Sequence, residues 1–206
     1  MDRRVRRTAP GTRAGTRWRR FAFAAVPAFG VSALVLGLTA EGALAASFAV
    51  AGTNFRISAD RLEGTGMVQY GTVDVGGDGK KHPVAVNGFR NVDIYNLCQS
   101  MVVPSPFGDM TIRLTAGSAG TPVKVTNMVT DLDLLQGDVT FRGPNIGVDA
   151  SRSTKGPVQG GRNAFALEAD SVSIQNPEIQ AWATTAGTFV LKNLRMTAGF
   201  GKEQCF

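Results

Sequence analysis

The sequence predicts a single all-β domain, mostly antiparallel and either a sandwich or a curled sheet, preceded by a hydrophobic leader helix. Three observations lead there. Apolar and polar residues alternate in short runs, turn formers separate the runs at close intervals, and helical spacing is essentially confined to the N-terminal apolar segment. A period of two places one set of side chains on one face of a sheet.

The leader comes first. Residues 1–20 carry eight arginines against Asp2, a net of +7, and residues 21–38, FAFAAVPAFGVSALVLGL, are apolar throughout. A basic segment, an apolar run and then small residues is the grammar of a secretory leader, and Ala43-Leu44-Ala45 fits its cleavage pattern with the cut before Ala46. The domains expected are therefore an export leader, 1–45, and an extracytoplasmic all-β domain, 46–206. The alternative keeps residues 21–40 as a single-pass membrane anchor, since about 17–25 apolar residues span a bilayer. Both readings leave the arginines inside and the domain outside. Arg19-Arg20-Phe21 is explained by ordinary positive-inside charge rather than by a twin-arginine signal, and no cysteine near the leader's end offers a lipid attachment point.

Charge excludes one class of partner. Of the net +6, the first 20 residues supply +7 and Glu41 removes one, so Ala46 onward is neutral with 14 basic and 14 acidic residues (22 − 8 and 16 − 2). A neutral domain with scattered charges lacks the basic stripe that nucleic acid requires.

Along the domain the alternating pairs are Phe48/Val50, Phe55/Ile57, Val73/Val75, Val84/Val86 and Val92/Ile94. They continue as Met110/Ile112/Leu114, Val123/Val125, Val139/Phe141, Val172/Ile174, Phe189/Leu191 and Leu194/Met196. A weak helical spacing appears only over Ala164–Ala169. Gly64-Thr65-Gly66, Gly76–Gly79, Gly117–Gly120, Gly143-Pro144-Asn145 and Asn176-Pro177 mark turns. Asn87-Gly88 reads as a two-residue hairpin turn between VAV and FRNVDI. Residues 151–163, SRSTKGPVQGGRN, have no apolar period and read as an exposed loop. A loose echo among 59–70, 130–141 and 169–182 raises the alternative of a β-solenoid.

Catalytic patterns are sparse. The one histidine, His82, sits in GGDGKKHPVAV, and there is no G-x-S-x-G elbow, so Ser100, Ser105 and Ser118 read as turn or strand serines. Asp131 and Asp133 share a strand face as a glycosidase pair would, but period two explains them as the solvated face of a strand whose apolar face carries Leu132 and Leu134. The Asp74–Asp78-Gly79 stretch lacks the ligand spacing of a calcium loop, and one histidine with two distant cysteines makes no zinc site. Neither a cofactor nor a metal is expected. Outside the cytoplasm, Cys98 and Cys205 most simply form one disulfide. Met67, Met101, Met110, Met128, Met196 and Trp182 supply soft apolar volume for a core or for a lipid slot.

Together GALAASFAVAG, GTGMVQYG, HPVAVNGF, YNLCQS, AWATTAGTFVL and EQCF resemble a family of exported actinobacterial proteins of unknown function, often labelled "cholesterol esterase" by genome pipelines. The resemblance covers most of the exported region. It implies an envelope or secreted location in a high-GC Gram-positive bacterium, and it makes both cysteine-bearing segments family features. It transfers no catalytic residue. The expected function is an exported non-catalytic protein of the cell envelope or medium that binds a lipid or other hydrophobic ligand, or a partner surface. Two alternatives stay open: a lipid-ester hydrolase working through His82, and a structural, self-assembling envelope protein. No pattern in the sequence speaks to the oligomeric state.

Overall fold

A computed structural model describes residues 53–77 and 79–206. The leader, the cleavage residues Ala43, Ala45 and Ala46, the Phe48/Val50 run and Asp78 lie outside the described residues.

The alternating runs become ten strands: β1 (Phe55–Ser58), β2 (Arg61–Val75), β3 (Lys81–Tyr95), β4 (Leu97–Ser105), β5 (Gly108–Ala116), β6 (Val123–Arg142), β7 (Asn145–Asp149), β8 (Phe165–Thr185), β9 (Thr188–Val190) and β10 (Arg195–Phe200). One 3-10 turn, Ala150–Arg152, follows β7, and there is no α-helix among the described residues. No helix there is long and apolar enough to cross a membrane. The Ala164–Ala169 stretch with helical spacing lies largely at the start of β8.

Every strand pairing is antiparallel, and the order is β10-β5-β4-β1-β8-β2-β3-β6-β9 with β7 on β8. That disposes of the solenoid alternative, whose coils stack in parallel. The echoing segments fall on β2, β6 and β8, which are neighbours running in opposite directions.

The sheet also closes on itself. β8 holds β2 on one edge and β6 on the other, while β3 joins β2 to β6. The 20-residue β6 manages this by pairing β3 over residues 123–132 and β8 over 129–142, with register shifts that bend it. Bulges increase local twist and are the usual means of curling a sheet into a barrel. From β8 the sheet also continues through β1 to β4, β5 and β10, which extend from the barrel as a wing.

Period two, interrupted where Gly66, Arg90 and Asn127 drop out of the pairing, decides what fills the barrel. Leu62, Met67, Phe89, Val92, Ile94, Val125, Met128, Val172 and Ile174 belong to one buried cluster. A second cluster, Val68, Ala150 and Ala166, lies under the segment that follows the 3-10 turn.

Two sequence expectations fail here, and they fail together. Asn87-Gly88 is no hairpin turn, because β3 runs through it without a break. The real β2–β3 turn is the glycine-rich stretch before it, where the Gly79 N–H reaches the Gly76 carbonyl (2.8 Å) and Gly79 takes φ +77°. Gly88 is glycine for another reason: a Cβ there would lie 3.1 Å from Pro157, Val158 and Val68. Those contacts also correct the reading of 151–163 as a simple exposed loop. Ser153 is 3% exposed, and the segment lies as a strap across the outer surface of β2 and β3.

Gly156 is the tightest point of the strap, since an added Cβ would sit 2.1 Å from Val68 Cγ1. Val68 is fully buried and cannot yield. Gly156→Ala is expected to cost about 2–3 kcal/mol by overpacking, read as a lower urea midpoint at unchanged m-value. A midpoint within error of wild type would show that the strap is free to lift.

Candidate functional site

The residues with chemical potential fall into three places. The first is on the outer face, at the turn end of β2 and β3. Asp74 and His82 are cross-strand partners. The His82 ring packs on Trp182, with centroids 4.0 Å apart and planes tilted by 32°. Trp182 and Asp133 both sit where the β6–β8 register shifts, and the Trp182 indole N–H donates to Asp133 Oδ2 (3.0 Å). Gln180 donates to the same carboxylate at 3.1 Å.

The two aspartates are therefore unlike. Asp133 is exposed and accepts hydrogen bonds. Asp131 is half-buried, and its pKa is pushed up to about 6 by burial and by the nearby Asp74 carboxylate. Burial, Asp131 and Asp74 together raise the Tyr70 phenol. The expectation of a solvated pair holds for one partner only, because the register shift separates them. Asp131 holds a proton in the folded state that the unfolded chain releases near 3.8, so its contribution to stability falls as pH rises from about 4 to about 6. Asp131→Asn is thus expected to stabilise by about 1 kcal/mol at pH 8, discounted for solvent screening, and to be neutral at pH 4. Urea midpoints at the two pH values check this; an equal effect at both would mean that the charge is not the cause.

The serines take no part in this cluster. Ser100, 1% exposed, accepts a hydrogen bond from the Cys205 backbone N–H (3.0 Å). Ser105 Oγ donates to the Gly108 carbonyl (2.6 Å) within the β4–β5 turn, and the Ser118 carbonyl accepts from Asn193. Among the described residues there is no group of three or more His, Cys, Asp or Glu side chains arranged to hold a metal.

The second place is the C-terminal tie. Cys98 and Cys205 are disulfide-bonded, 107 residues apart in sequence. The bond lies on the polar face of the wing, where Thr111 donates to the Gly201 carbonyl (2.6 Å) and Arg56 to that of Phe206. The last residues thus cover this face of β1, β4 and β5. A disulfide of this kind suits an oxidising, extracytoplasmic environment.

The third place is the barrel interior. A cavity of about 50 Å³ is walled by Leu62, Phe89, Met128, Leu132 and Ile179, with Phe189 of β9 on its rim. Two of its polar groups satisfy each other, Thr130 and Thr184 lying 3.2 Å apart. Asn87 is different. It is 2% exposed, it lines the cavity, and among the described residues neither its Oδ1 nor its Nδ2 has a hydrogen-bond partner. An amide left so within apolar walls forfeits about 1–3 kcal/mol. Its position follows from β3: Met67 pairs with Phe89 inside the barrel, so Asn87, two residues on, points inward as well.

The cavity lies on the same face as an open apolar surface. Ile57 and Gln99 line it and pair with each other, and Gln99 pairs with Leu114 on its other side. Phe55, Met101 and Ile112, two residues away on each strand, continue that face onto the wing and meet Ala198 of β10. There the cover ends. Met196 is 63% and Phe200 73% exposed, and Phe107 at the β4–β5 tip is 87% exposed. Contiguous exposed apolar surface marks a binding site far more often than isolated residues do. Sequence reasoning missed Asn87 by reading it as a turn. The available signal was its two-residue spacing from Phe89 in a run with buried residues on both sides.

An open groove of about 620 Å³ on the outer face is lined by Thr65, Asn91, Arg142 and Ser171, among others. Its one lysine, Lys124, is paired with Asp93 at 3.2 Å.

Compared with known proteins, residues 51–206 match the sequence model of a family of unknown function, DUF6230. No curated protein and no solved structure matches the chain.

Proposed function

We propose, on the premise that the chain belongs to the DUF6230 family of unknown function, that it is an exported, non-catalytic binding protein of the cell envelope or medium. Its ligand is hydrophobic and its binding surface is the inner face of the curled sheet. One observation carries this: the apolar face of the wing, half-buried over β1, β4 and β5 and exposed at Phe107, Met196 and Phe200, adjoins the barrel cavity at Ile57 and Gln99. The basic and apolar leader and the disulfide support export. The test is the native mass of protein purified in the form its own cells accumulate. An apolar adduct lost on denaturation is the expected result. A bare protein that also takes up no aliphatic probe would sink the reading.

The free edge of β10 favours a second reading, a self-assembling envelope protein. Among the described strands β10 pairs only with β5, all of its residues are exposed, and such an edge can template pairing between chains. That reading requires concentration-dependent oligomers in sedimentation without bound lipid. An ester hydrolase through His82 requires turnover that His82→Ala abolishes, whereas a binding protein keeps its ligand in that variant. In the structure His82 packs on Trp182 beside Asp74, and none of the three serines is bonded to it.

A further inference from the structure

The ligand class can be narrowed from the size and chemistry of the cavity; this step rests on the binding reading above. About 50 Å³ is a third of the ~150 Å³ that encloses a benzene-sized guest. It holds two or three heavy atoms and no lipid body. The part of a ligand that enters must therefore be small, and the remainder must lie outside on the wing.

Asn87 states what that small part is. Its free Nδ2 is a donor and its free Oδ1 an acceptor, so the complementary group accepts and donates at once. Among the described residues no charged side chain lines the cavity, so an ionised head would be buried there without a counter-charge. A hydroxyl satisfies both conditions. Behind the head the occupant meets Ile57 with the uncharged Gln99 beside it, and then the apolar, half-buried Met101 and Ile112 along the wing. Two residues of strand rise at about 3.3 Å and two strand spacings at about 4.8 Å make that track roughly 12 Å long, enough for an extended chain of some ten carbons. Methionine is the side chain best able to shape itself to such a chain.

We infer that the inner face binds a slim, single-chain aliphatic molecule with an uncharged hydroxyl-type head, the head seated on Asn87 inside the barrel and the chain lying along β1, β4 and β5. Asn87 is then a positioning and specificity residue rather than a flaw in the core. Its stability penalty in the empty protein is the reason a matched head is preferred.

The experiment titrates the protein, purified in the form its own cells accumulate, with 1-decanol and with decanoate at pH 8, for wild type and Asn87→Leu. Decanol is expected to bind at least tenfold more tightly than decanoate, and Asn87→Leu to weaken decanol at least tenfold. Equal affinities for the two probes, or decanol binding unchanged in Asn87→Leu, would overturn the assignment of the head to Asn87 while leaving the binding reading in place. Binding of neither probe would overturn both. Should Asn87→Leu fail to fold, the Asn87 side-chain amide resonances of ¹⁵N-labelled wild type decide. They are expected to shift on saturation with decanol, and resonances that stay in place while decanol binds would overturn the inference.

Discussion

Glu168→Ala is expected to lower the unfolding free energy by about 3–5 kcal/mol, among the largest effects available to a single side chain here. Glu168 is 6% exposed on β8, beneath the strap. It accepts from Ser153 Oγ (2.7 Å), Asn145 Nδ2 (3.0 Å), Thr154 N (3.1 Å) and Lys155 N (3.4 Å). Burial alone would push its pKa up, but these four donors outweigh burial and hold it down at about 2. Alanine would leave Ser153 and two backbone N–H groups without an acceptor, and the strap would lose its anchor.

The effect has a pH signature. The folded pKa lies below the ordinary 4.5, so the unfolded chain takes up the proton first as pH falls. The stability due to Glu168 is complete above about 4.5 and is lost as pH falls toward about 2. Wild type should therefore show a steeper acid limb than the alanine variant when urea midpoints are compared from pH 6 to pH 2. Parallel limbs would mean that the carboxylate is not what holds the strap. Hydrogen exchange should also rise over residues 150–164 in the variant before it rises in β2 or β3.

The second large effect is at the other end of the molecule. Breaking Cys98–Cys205, by reduction or by paired serine substitutions, is expected to cost about 2–5 kcal/mol. For a domain of this size that is a fall in Tm of roughly 5–15 °C. The loop it closes is long, 107 residues, so the unfolded chain gains much freedom when the bond is cut. The loss should also have a location. Beyond Phe200 the chain is tied to the wing by Thr111, Ser100 and Arg56, with the Arg56 guanidinium 5.1 Å over the Phe206 ring. Hydrogen exchange in β4, β5 and β10 should rise while the barrel strands β2, β3 and β8 stay protected. Uniform deprotection would show that the bond supports the whole domain rather than the wing.

These two predictions differ in how far the sequence foretold them. The disulfide could be read directly: behind a leader-like N-terminal sequence, two cysteines most simply pair with each other. The Glu168 anchor could not. A lone glutamate in FALEAD reads as a solvated position, and its partners come from two other stretches of chain. The strap shows the same limit. SRSTKGPVQGGRN has no apolar period, so it reads as an exposed loop, yet glycines at 88 and 156 let it approach β2 and β3 closely. A glycine required by contact looks the same in sequence as a glycine required by a turn. Asn87-Gly88 was misread for that reason.

What the sequence by itself determined is the strand character of the domain, its neutral charge and its one covalent tie. Each is local or compositional: period two belongs to a strand wherever the strand pairs. The tertiary structure decided which face of each strand is inside, and the reason is register. The shifts in β6 and β8 curl the sheet until β8 meets both β2 and β6, and that closure turns Asn87 inward, brings Trp182 onto His82 and leaves Phe107, Met196 and Phe200 exposed on the wing. A one-residue shift exchanges the two faces of a strand, and where such shifts fall depends on strands that lie far apart in the chain.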